Sequence, residues 1–414
     1  MSKHILILTA GSRGDVQPYV ALAKGLQREG FAVTIGTDSA FSTLAIDHGI
    51  SFAPVRTPFV QMARTAAGKA ALTGKKSFDL KQIKPLLRQM MDDAWAIAQQ
   101  VKPDMVIYHP KSLAGYHIAD KLGVPGILAI ALPLYSPTGD FLNPVFGGSD
   151  CGSLINRLSY MLFSKASLLP YRGFINHWRE ERLGLSPFSS DLTLRGQPIP
   201  KMYAYSPAVL PVPGDWDNTS QVTGYWFLDS DEAWEPPSDL ATFLAAGAAP
   251  VYVGFGSMAA ENARHTTALI LEAICQSRTR AILATGWGGL SASKIPENVY
   301  MLESAPHDWL FPQCAAVVHH GGAGTTGAGL RTGKPTIICP FFGDQPFWGK
   351  QIHKLGIGPR PIPQKQLSAN NLGQAIREAI ADPKMRQRAE SVGKRIRAEE
   401  GVAQAVEIIK RYMH

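Results

Sequence analysis

The sequence predicts two Rossmann-like doubly wound parallel-sheet domains facing each other across a cleft. Three observations point there. Short apolar runs alternate with stretches of helical spacing in two separate series along the chain. A stretch rich in proline and acid lies between the series, as a domain connector does. At 414 residues and 45% hydrophobic, the chain is too long for one ordinary core and long enough for two α/β units.

The first series opens with an apolar run at 5–9, continues with helical spacing at 20–29, and returns to a strand at 32–36, which makes a βαβ unit. A helix over 86–100, a buried strand over 104–108, a helix over 113–122 and a strand over 126–131 extend it into a parallel sheet. From 141 to 182 the pattern loosens into amphipathic stretches rich in Phe, Leu, Tyr and Trp that read neither as an alternating strand nor as one clean helix. They are either the wall of a binding site or ordinary core helices. The second series predicts strands at 251–255, 281–285, 299–302, 315–319 and 336–340, with a helix over 266–276 and closing helices. Domains are therefore expected at 1–215 and 238–395, with a connector at 216–237 and a last helix at 396–414 that packs back on the first domain. Any ligand belongs at the carboxyl ends of the strands, where doubly wound sheets bind theirs.

Composition narrows the function. A net charge of +8 invites a nucleic-acid reading, but no DNA- or RNA-binding motif is present and the basic residues are scattered, so no nucleic-acid partner is expected. The densest basic segment, 64–88, holds Arg64, Lys69, Lys75, Lys76, Lys81, Lys84 and Arg88 against Asp79 alone. Either it is a solvated face or it contacts an anionic membrane surface. Cys151, Cys275, Cys314 and Cys339 are far apart and fit buried thiols in a reducing compartment, with neither disulfide nor zinc. The apolar run near the N-terminus is too short for a signal peptide, and no segment approaches a spanning helix, so a cytoplasmic protein is expected.

The strongest constellation is Ala315-Ala316-Val317-Val318-His319-His320-Gly321-Gly322-Ala323-Gly324-Thr325-Thr326. An apolar strand running into small residues and then a helix lets bare amides at a positive helix end approach an anion, which suits a diphosphate. Gly322, Gly324 and Gly327 also spell a dinucleotide fingerprint, but its place far from the first strand, the two histidines before it and the proline-rich strand end about twenty residues on, in place of a lone ribose-binding acid, argue against that use.

The stretch 303–358 contains Ala305-Pro306-His307-Asp308-Trp309-Leu310-Phe311-Pro312, the His319-His320-Gly321-Gly322 turn, and Pro340-Phe341-Phe342-Gly343-Asp344-Gln345-Pro346-Phe347-Trp348. It resembles the donor-binding signature of nucleotide-sugar-dependent small-molecule glycosyltransferases of the GT-B fold. Gly11-Ser12-Arg13-Gly14-Asp15-Val16-Gln17-Pro18 and Gly254-Phe255-Gly256-Ser257-Met258 are similar to the sterol 3-beta-glucosyltransferase branch of that family. The resemblance implies that His319 meets the donor diphosphate and that Gly322, Ala323, Gly324 and Thr325 supply amides or a hydroxyl there. Ser257 and Ser12, with Arg13, Gly14 and His307, complete the donor set, and Asp344 and Gln345 take the sugar hydroxyls. Two departures leave the nucleotide less well specified. Ser304 stands where plant relatives stack a tryptophan under uracil, and Gly327 stands where they place a ribose-binding glutamate, so a UDP-sugar is the first expectation and a dTDP-sugar the second.

Asp15 occupies the position at which many plant relatives carry a catalytic histidine, and an alcohol acceptor needs a base. The same residue also reads as a cap for the helix that follows, and both readings can hold. His109 falls near the position of the acid that orients that histidine, either as a partner of Asp15 or as a loop residue without a part in catalysis. Asp229-Ser230-Asp231 superficially matches a metal-binding DxD but lies in the connector, and neither metal nor other cofactor is expected. The resemblance thus implies inverting, metal-independent transfer of a sugar, glucose first, from a UDP-sugar to an apolar acceptor such as a sterol. The alternatives are a polyketide, flavonoid, glycopeptide or lipid acceptor, or an idle sugar-nucleotide-binding protein.

Overall fold

The computed structural model describes residues 2–59, 80–188, 193–194, 196–230, 234–256, 263–285 and 294–413. The described chain divides into two compact units. The first takes in Met1–Pro207, Pro211–Leu228 and Glu400–His414, and the second Ala208–Leu210 and Asp229–Glu399.

In the first unit the chain runs β1 (His4–Leu8), α1 (Arg13–Arg28), β2 (Ala32–Thr37), α2 (Ser42–Ile46), β3 (Ser51–Pro54), α3 (Leu80–Val101), β4 (Met105–Tyr108), α4 (Gly115–Leu122) and β5 (Gly126–Ile130). It continues through α5 (Ser153–Trp178), a small ribbon of β6 (Thr193–Leu194) and β7 (Gln197–Pro198), then β8 (Lys201–Tyr203) and β9 (Ser220–Val222). Seven of these strands form one parallel sheet in the order β3-β2-β1-β4-β5-β8-β9. The central strands are buried along their whole length, so they appear in the sequence as unbroken Ile, Leu and Val runs rather than as alternation. Reversal of strand order between β1 and β4 opens a crevice at their carboxyl ends, where Leu8 is in register with Tyr108.

The second unit repeats the plan with α6 (Ser238–Ala245), β10 (Val251–Gly254), α7 (Ala263–Ser277), β11 (Ala281–Ala284), β12 (Val299–Leu302), α8 (His307–Leu310), β13 (Ala316–His319), α9 (Ala323–Arg331), β14 (Thr336–Ile338), α10 (Gln345–Lys354), α11 (Ala369–Ala381) and α12 (Pro383–Arg397). Its sheet is also parallel, ordered β12-β11-β10-β13-β14, with Gly254 in register with His319 at its own switch point. The last helix, α13 (Gly401–Met413), belongs to the first unit. Ala405, Val406, Ile408, Ile409 and Met413 join the core beside α1, and a side chain at Gly25 would drive into Val402.

Some elements depart from their sequence reading. The edge strand β3 is short and exposed at both ends, so it lacks the apolar run that marks its neighbours. Ser220–Val222, inside the stretch that reads as a connector, pairs with β8 as the seventh strand of the first sheet. The loose region after 141 contains one long helix, α5, whose apolar residues lie on more than one face. All four cysteines are free, but only Cys314 and Cys339 are buried. Cys151 and Cys275 are exposed, against the expectation of buried thiols.

Candidate active site

In the first unit, the loop after β1 turns at once into α1. Gly11 makes that turn at φ +136°, and a Cβ there would strike the Asp15 carboxylate. Asp15 stands in the first turn of α1, where its Oδ2 accepts the Ser12 N–H at 2.7 Å and the Ser12 hydroxyl at 2.9 Å, while Thr9 Oγ1 donates to its carbonyl at 2.6 Å. The carboxylate therefore caps the helix. Because β4 ends beside β1, the residues that follow it reach the same place. Lys111 Nζ donates to both carboxylate oxygens at 2.9 Å, and His109 Nε2 stands 3.5 Å from Oδ1.

The charges follow from these contacts. Burial works against ionisation of Asp15, but the Lys111 ammonium, His109 and the bonds from Lys111 and Ser12 outweigh it and hold the carboxyl down at about 2. His109 is pushed down to about 4, first by burial, with Asp15 opposing and Lys111 adding to the shift, so its ring is neutral at pH 7. Its Nδ1 accepts the Lys111 N–H at 3.1 Å, which leaves the ring proton on Nε2, facing Asp15. Tyr19 closes the floor edge-on to His109 at 6.2 Å, and its hydroxyl donates to the Ala129 carbonyl. The Asp15 side chain stays 20% exposed, enough for a hydroxyl to reach it. Arg13 is occupied by Gln17 at 2.9 Å, and Gly14 lies in the first turn of α1 beside Ser12.

In the second unit, β13 ends at His319 and α9 begins after Gly322. Gly321 takes φ +94° at the bend, and a Cβ there would press on Ile338 at 2.7 Å. Ala323, Gly324 and Thr325 form the first turn of α9, so their amides point out of the helix end, and the space above Gly324 is open. His319 is fully buried. Its Nδ1 accepts the Gly321 N–H at 2.9 Å, and its Nε2 has no partner among the described residues. Burial, then His320 and His307, hold this ring well below the ordinary histidine value, so it is neutral and carries its proton on the unpartnered Nε2. Thr326 Oγ1 and His320 Nδ1 are buried and likewise without a partner among the described residues. A buried donor without an acceptor is costly, which suits a site that completes itself with a ligand.

The remaining expected donor residues divide. His307 stacks on Phe311 with ring centroids 4.2 Å apart and touches the edge of Tyr252. Gln345 is buried, and its Oε1 accepts the Phe341 N–H at 2.8 Å and the Phe342 N–H at 3.3 Å, so only its amide NH₂ remains for a sugar. Asp344 sits at the N-terminal boundary of α10 beside it. Ser257 and Met258 lie outside the described residues. Asp229 of the DxD-like stretch is paired with Arg331, and Ser230 donates to Asp308 from both its amide and its hydroxyl. Among the described residues no cluster of His, Cys, Asp and Glu could hold a metal ion.

Lys111 has no role in the sequence reading. The available signal was a cation three residues past the strand that borders the switch point. Both units also share a device that sequence alone hides. The histidine directly after β4 and the one that ends β13 each accept, through Nδ1, the amide two residues on, and so present an Nε2–H.

Residues 5–136 match the family model described as the glycosyltransferase family 28 N-terminal domain, and residues 271–411 match the C-terminal domain described as erythromycin biosynthesis protein CIII-like. A sterol 3-beta-glucosyltransferase of Arabidopsis thaliana is 37% identical over 421 residues, which cover 99% of this chain and 68% of that protein. One from Aspergillus fumigatus is 38% identical over 428 residues, 99% of this chain but only 30% of the longer fungal protein. The solved structure of the glycosyltransferase VinC in complex with dTDP superposes with a TM-score of 0.70 at 20% identity, over 99% of each chain. With its two doubly wound units in the GT-B arrangement of elements, the chain belongs to the sterol 3-beta-glucosyltransferase family of nucleotide-sugar-dependent glycosyltransferases.

Proposed function

We propose that the protein transfers a sugar, glucose first, from a UDP-sugar to the hydroxyl of an apolar acceptor, the 3-beta-hydroxyl of a sterol before others, with inversion to a β-glycoside. Family membership supports the reaction class, and the observation that carries the mechanism is the Asp15 carboxylate held ionised beside Lys111 and His109. On this reading the unit around β1 holds the acceptor and the unit around β13 holds the sugar nucleotide, as the family resemblance implies.

Asp15 accepts the hydroxyl proton while the acceptor oxygen bonds to the anomeric carbon from the face opposite the diphosphate. The bond from that carbon to the diphosphate oxygen breaks, and UDP departs with the electron pair. Oδ1 is the reacting oxygen, because Oδ2 is already engaged by Ser12 and Lys111, whereas Oδ1 has one short bond, from Lys111. His109 is the weaker candidate for base: its Nδ1 lone pair is taken by the Lys111 amide and its other nitrogen carries the proton. His109 is therefore a positioning residue that directs Nε2–H at Asp15. Charge gathering on the diphosphate meets the first-turn amides of α9 and the Nε2–H of His319, the electrostatic task a metal performs elsewhere. No metal is required on this reading.

Incubating the enzyme with UDP-glucose, UDP-galactose and dTDP-glucose against sterols, flavonoids and macrolide aglycones, with mass spectrometry as readout, tests the proposal. A sterol heavier by one hexose, with stoichiometric UDP and a β linkage by NMR, is the expected product. Transfer only to macrolides would favour the second reading, a natural-product glycosyltransferase, which the erythromycin-type match of residues 271–411 supports. No transfer with any pair would sink both.

We place the enzyme in the cytoplasm, peripheral to the inner face of a membrane. Among the described residues no helix is long and apolar enough to cross one. Most of the basic segment read as either a solvated face or a lipid contact lies outside the described residues, and Arg88, which is described, is committed to Glu181 at 2.7 Å.

A further inference from the structure

The helix α5 is built the wrong way round for a water-facing element. Its rotation is fixed by polar side chains on the buried face. Asn156 Nδ2 donates to the Gly139 carbonyl at 2.7 Å and to Asp150 at 2.9 Å, and Ser159 Oγ accepts the Asn143 N–H at 2.8 Å. Tyr160, Ile175 and Trp178 complete that face. The opposite side carries Leu154, Ile155, Leu158, Met161, Leu162 and Leu169, all exposed, with Leu154 at 73% and Leu169 at 72%. Their spacing of three and four residues puts them on one stripe. Val145 and Phe146, from the turn before the helix, are exposed as well, and Phe146 lines one apolar groove of about 480 Å³ with Ile155, Leu158, Met161 and Leu162.

The charge on this helix is one-sided. From Ser153 to Trp178 there is no Asp or Glu, while Lys165 and Arg172 are exposed at positions that fall within the apolar stripe and Arg157 flanks it. Arg157 is paired with Asp215 at 2.8 Å, which leaves Lys165 and Arg172 as the outward cations. Exposed leucines with long-stemmed cations among them match the interface of an anionic bilayer, where the stems lie along the acyl boundary and the charges reach the headgroups. No described helix can span a membrane, so α5 would lie on the surface rather than cross it.

We propose that the outer face of α5, with the Pro144–Phe146 turn, docks the enzyme on an anionic lipid bilayer. The inference rests on the reading of an apolar, membrane-resident acceptor and assigns the contact to a surface other than the basic segment 64–88.

Sedimentation of the full chain with phosphatidylcholine vesicles, and with vesicles containing about one-third phosphatidylserine, tests it. Binding should be strong to the anionic vesicles and weak to the neutral ones. The double variant Leu158→Glu/Leu162→Glu should lower the partition coefficient about tenfold or more. Its melting temperature and its turnover of a sterol dispersed in detergent should stay as in the wild type. Lys165→Glu/Arg172→Glu should remove the preference for anionic vesicles. Vesicle binding by the leucine variant equal to wild type would overturn the proposal, as would no vesicle binding by the wild type. Lost turnover of the dispersed sterol at an unchanged melting temperature would also overturn it and make the face an acceptor wall. Intact vesicle binding by a wild type that transfers no sugar would sink the proposed reaction and leave the docking surface standing.

Discussion

Lys111 Nζ lies 2.9 Å from both carboxylate oxygens of Asp15, so a cation delivered from the end of β4 sets the basicity of the carboxylate at the start of α1. A carboxylate held at about 2 is ionised at every physiological pH but is a weak base. The acceptor hydroxyl can join Lys111 at Oδ1, and any loosening of the Lys111 contact would raise the basicity of the carboxylate.

Replacing Lys111 with Met should expose that coupling. The side chain is 43% exposed, so little packing is lost, and each unit by which the Asp15 pKa rises removes about 1.4 kcal/mol of stability at neutral pH. Without the ammonium, the Asp15 pKa climbs from about 2 toward the ordinary carboxylate range. The acidic limb of the kcat/KM profile should therefore move to higher pH by about one unit or more. An unmoved limb would mean that Asp15 is not the group titrating in catalysis.

Asp15→Asn separates the base from the cap. The amide oxygen can still accept the Ser12 N–H, so the melting temperature should change little, whereas an amide cannot take the acceptor's proton. Turnover should fall by about 100-fold to 10,000-fold with UDP affinity nearly unchanged. A loss of less than about tenfold, measured with saturating acceptor, places the base elsewhere.

His319→Ala should act on the donor instead. If the buried Nε2–H meets the diphosphate as proposed, its removal should weaken UDP binding about tenfold in a calorimetric titration. Equal affinity in wild type and variant would remove His319 from the donor site.

Chelation should leave turnover intact. On the proposed mechanism the α9 amides and His319 meet the charge a metal would otherwise meet, and Asp229 is already taken by Arg331. Activity lost in EDTA and restored by magnesium or manganese would contradict this.

Acid should destabilise the fold well before its carboxylates titrate. His109 and His320 are pushed down to about 4 and His117 to about 3, in each case first by burial. A depressed histidine pKa means that the unfolded chain binds the proton first, so stability falls as pH drops from the ordinary histidine value of 6.5 toward 4. Asp15, depressed to about 2, adds its own loss only below the ordinary value of 3.8. Denaturant melts at pH 7 and pH 5 should show the difference, and His109→Gln should reduce it. Identical midpoints for the wild type at the two pH values would contradict the neutral, buried state of these rings.

The strands buried on both faces were legible in the sequence because burial forces unbroken apolar runs, as in Val251-Tyr252-Val253-Gly254. The glycine turn after His319 was legible because small residues between a strand and a helix have few other uses. Lys111 was not, because a lysine on a loop is ordinary until the register of β1 with β4 puts it against Asp15. Gln345 was read for its amide chemistry alone, and only the fold reveals that its oxygen closes the Phe341-Phe342 turn. Helix α5 escaped because period analysis assumes that the outer face is polar, and here it is not.

The packing of α13 against α1 bears on how the chain is made. Val402 and Gly25 fit so closely that each helix presupposes the other, yet the whole second unit is translated between them. During synthesis the part of α1 that faces α13 stays uncovered while the whole second unit is translated. Long-range contacts of this kind slow folding and leave sticky intermediates exposed. The second unit closes its own sheet from a continuous stretch of chain, so it is free to finish folding before the unit that precedes it.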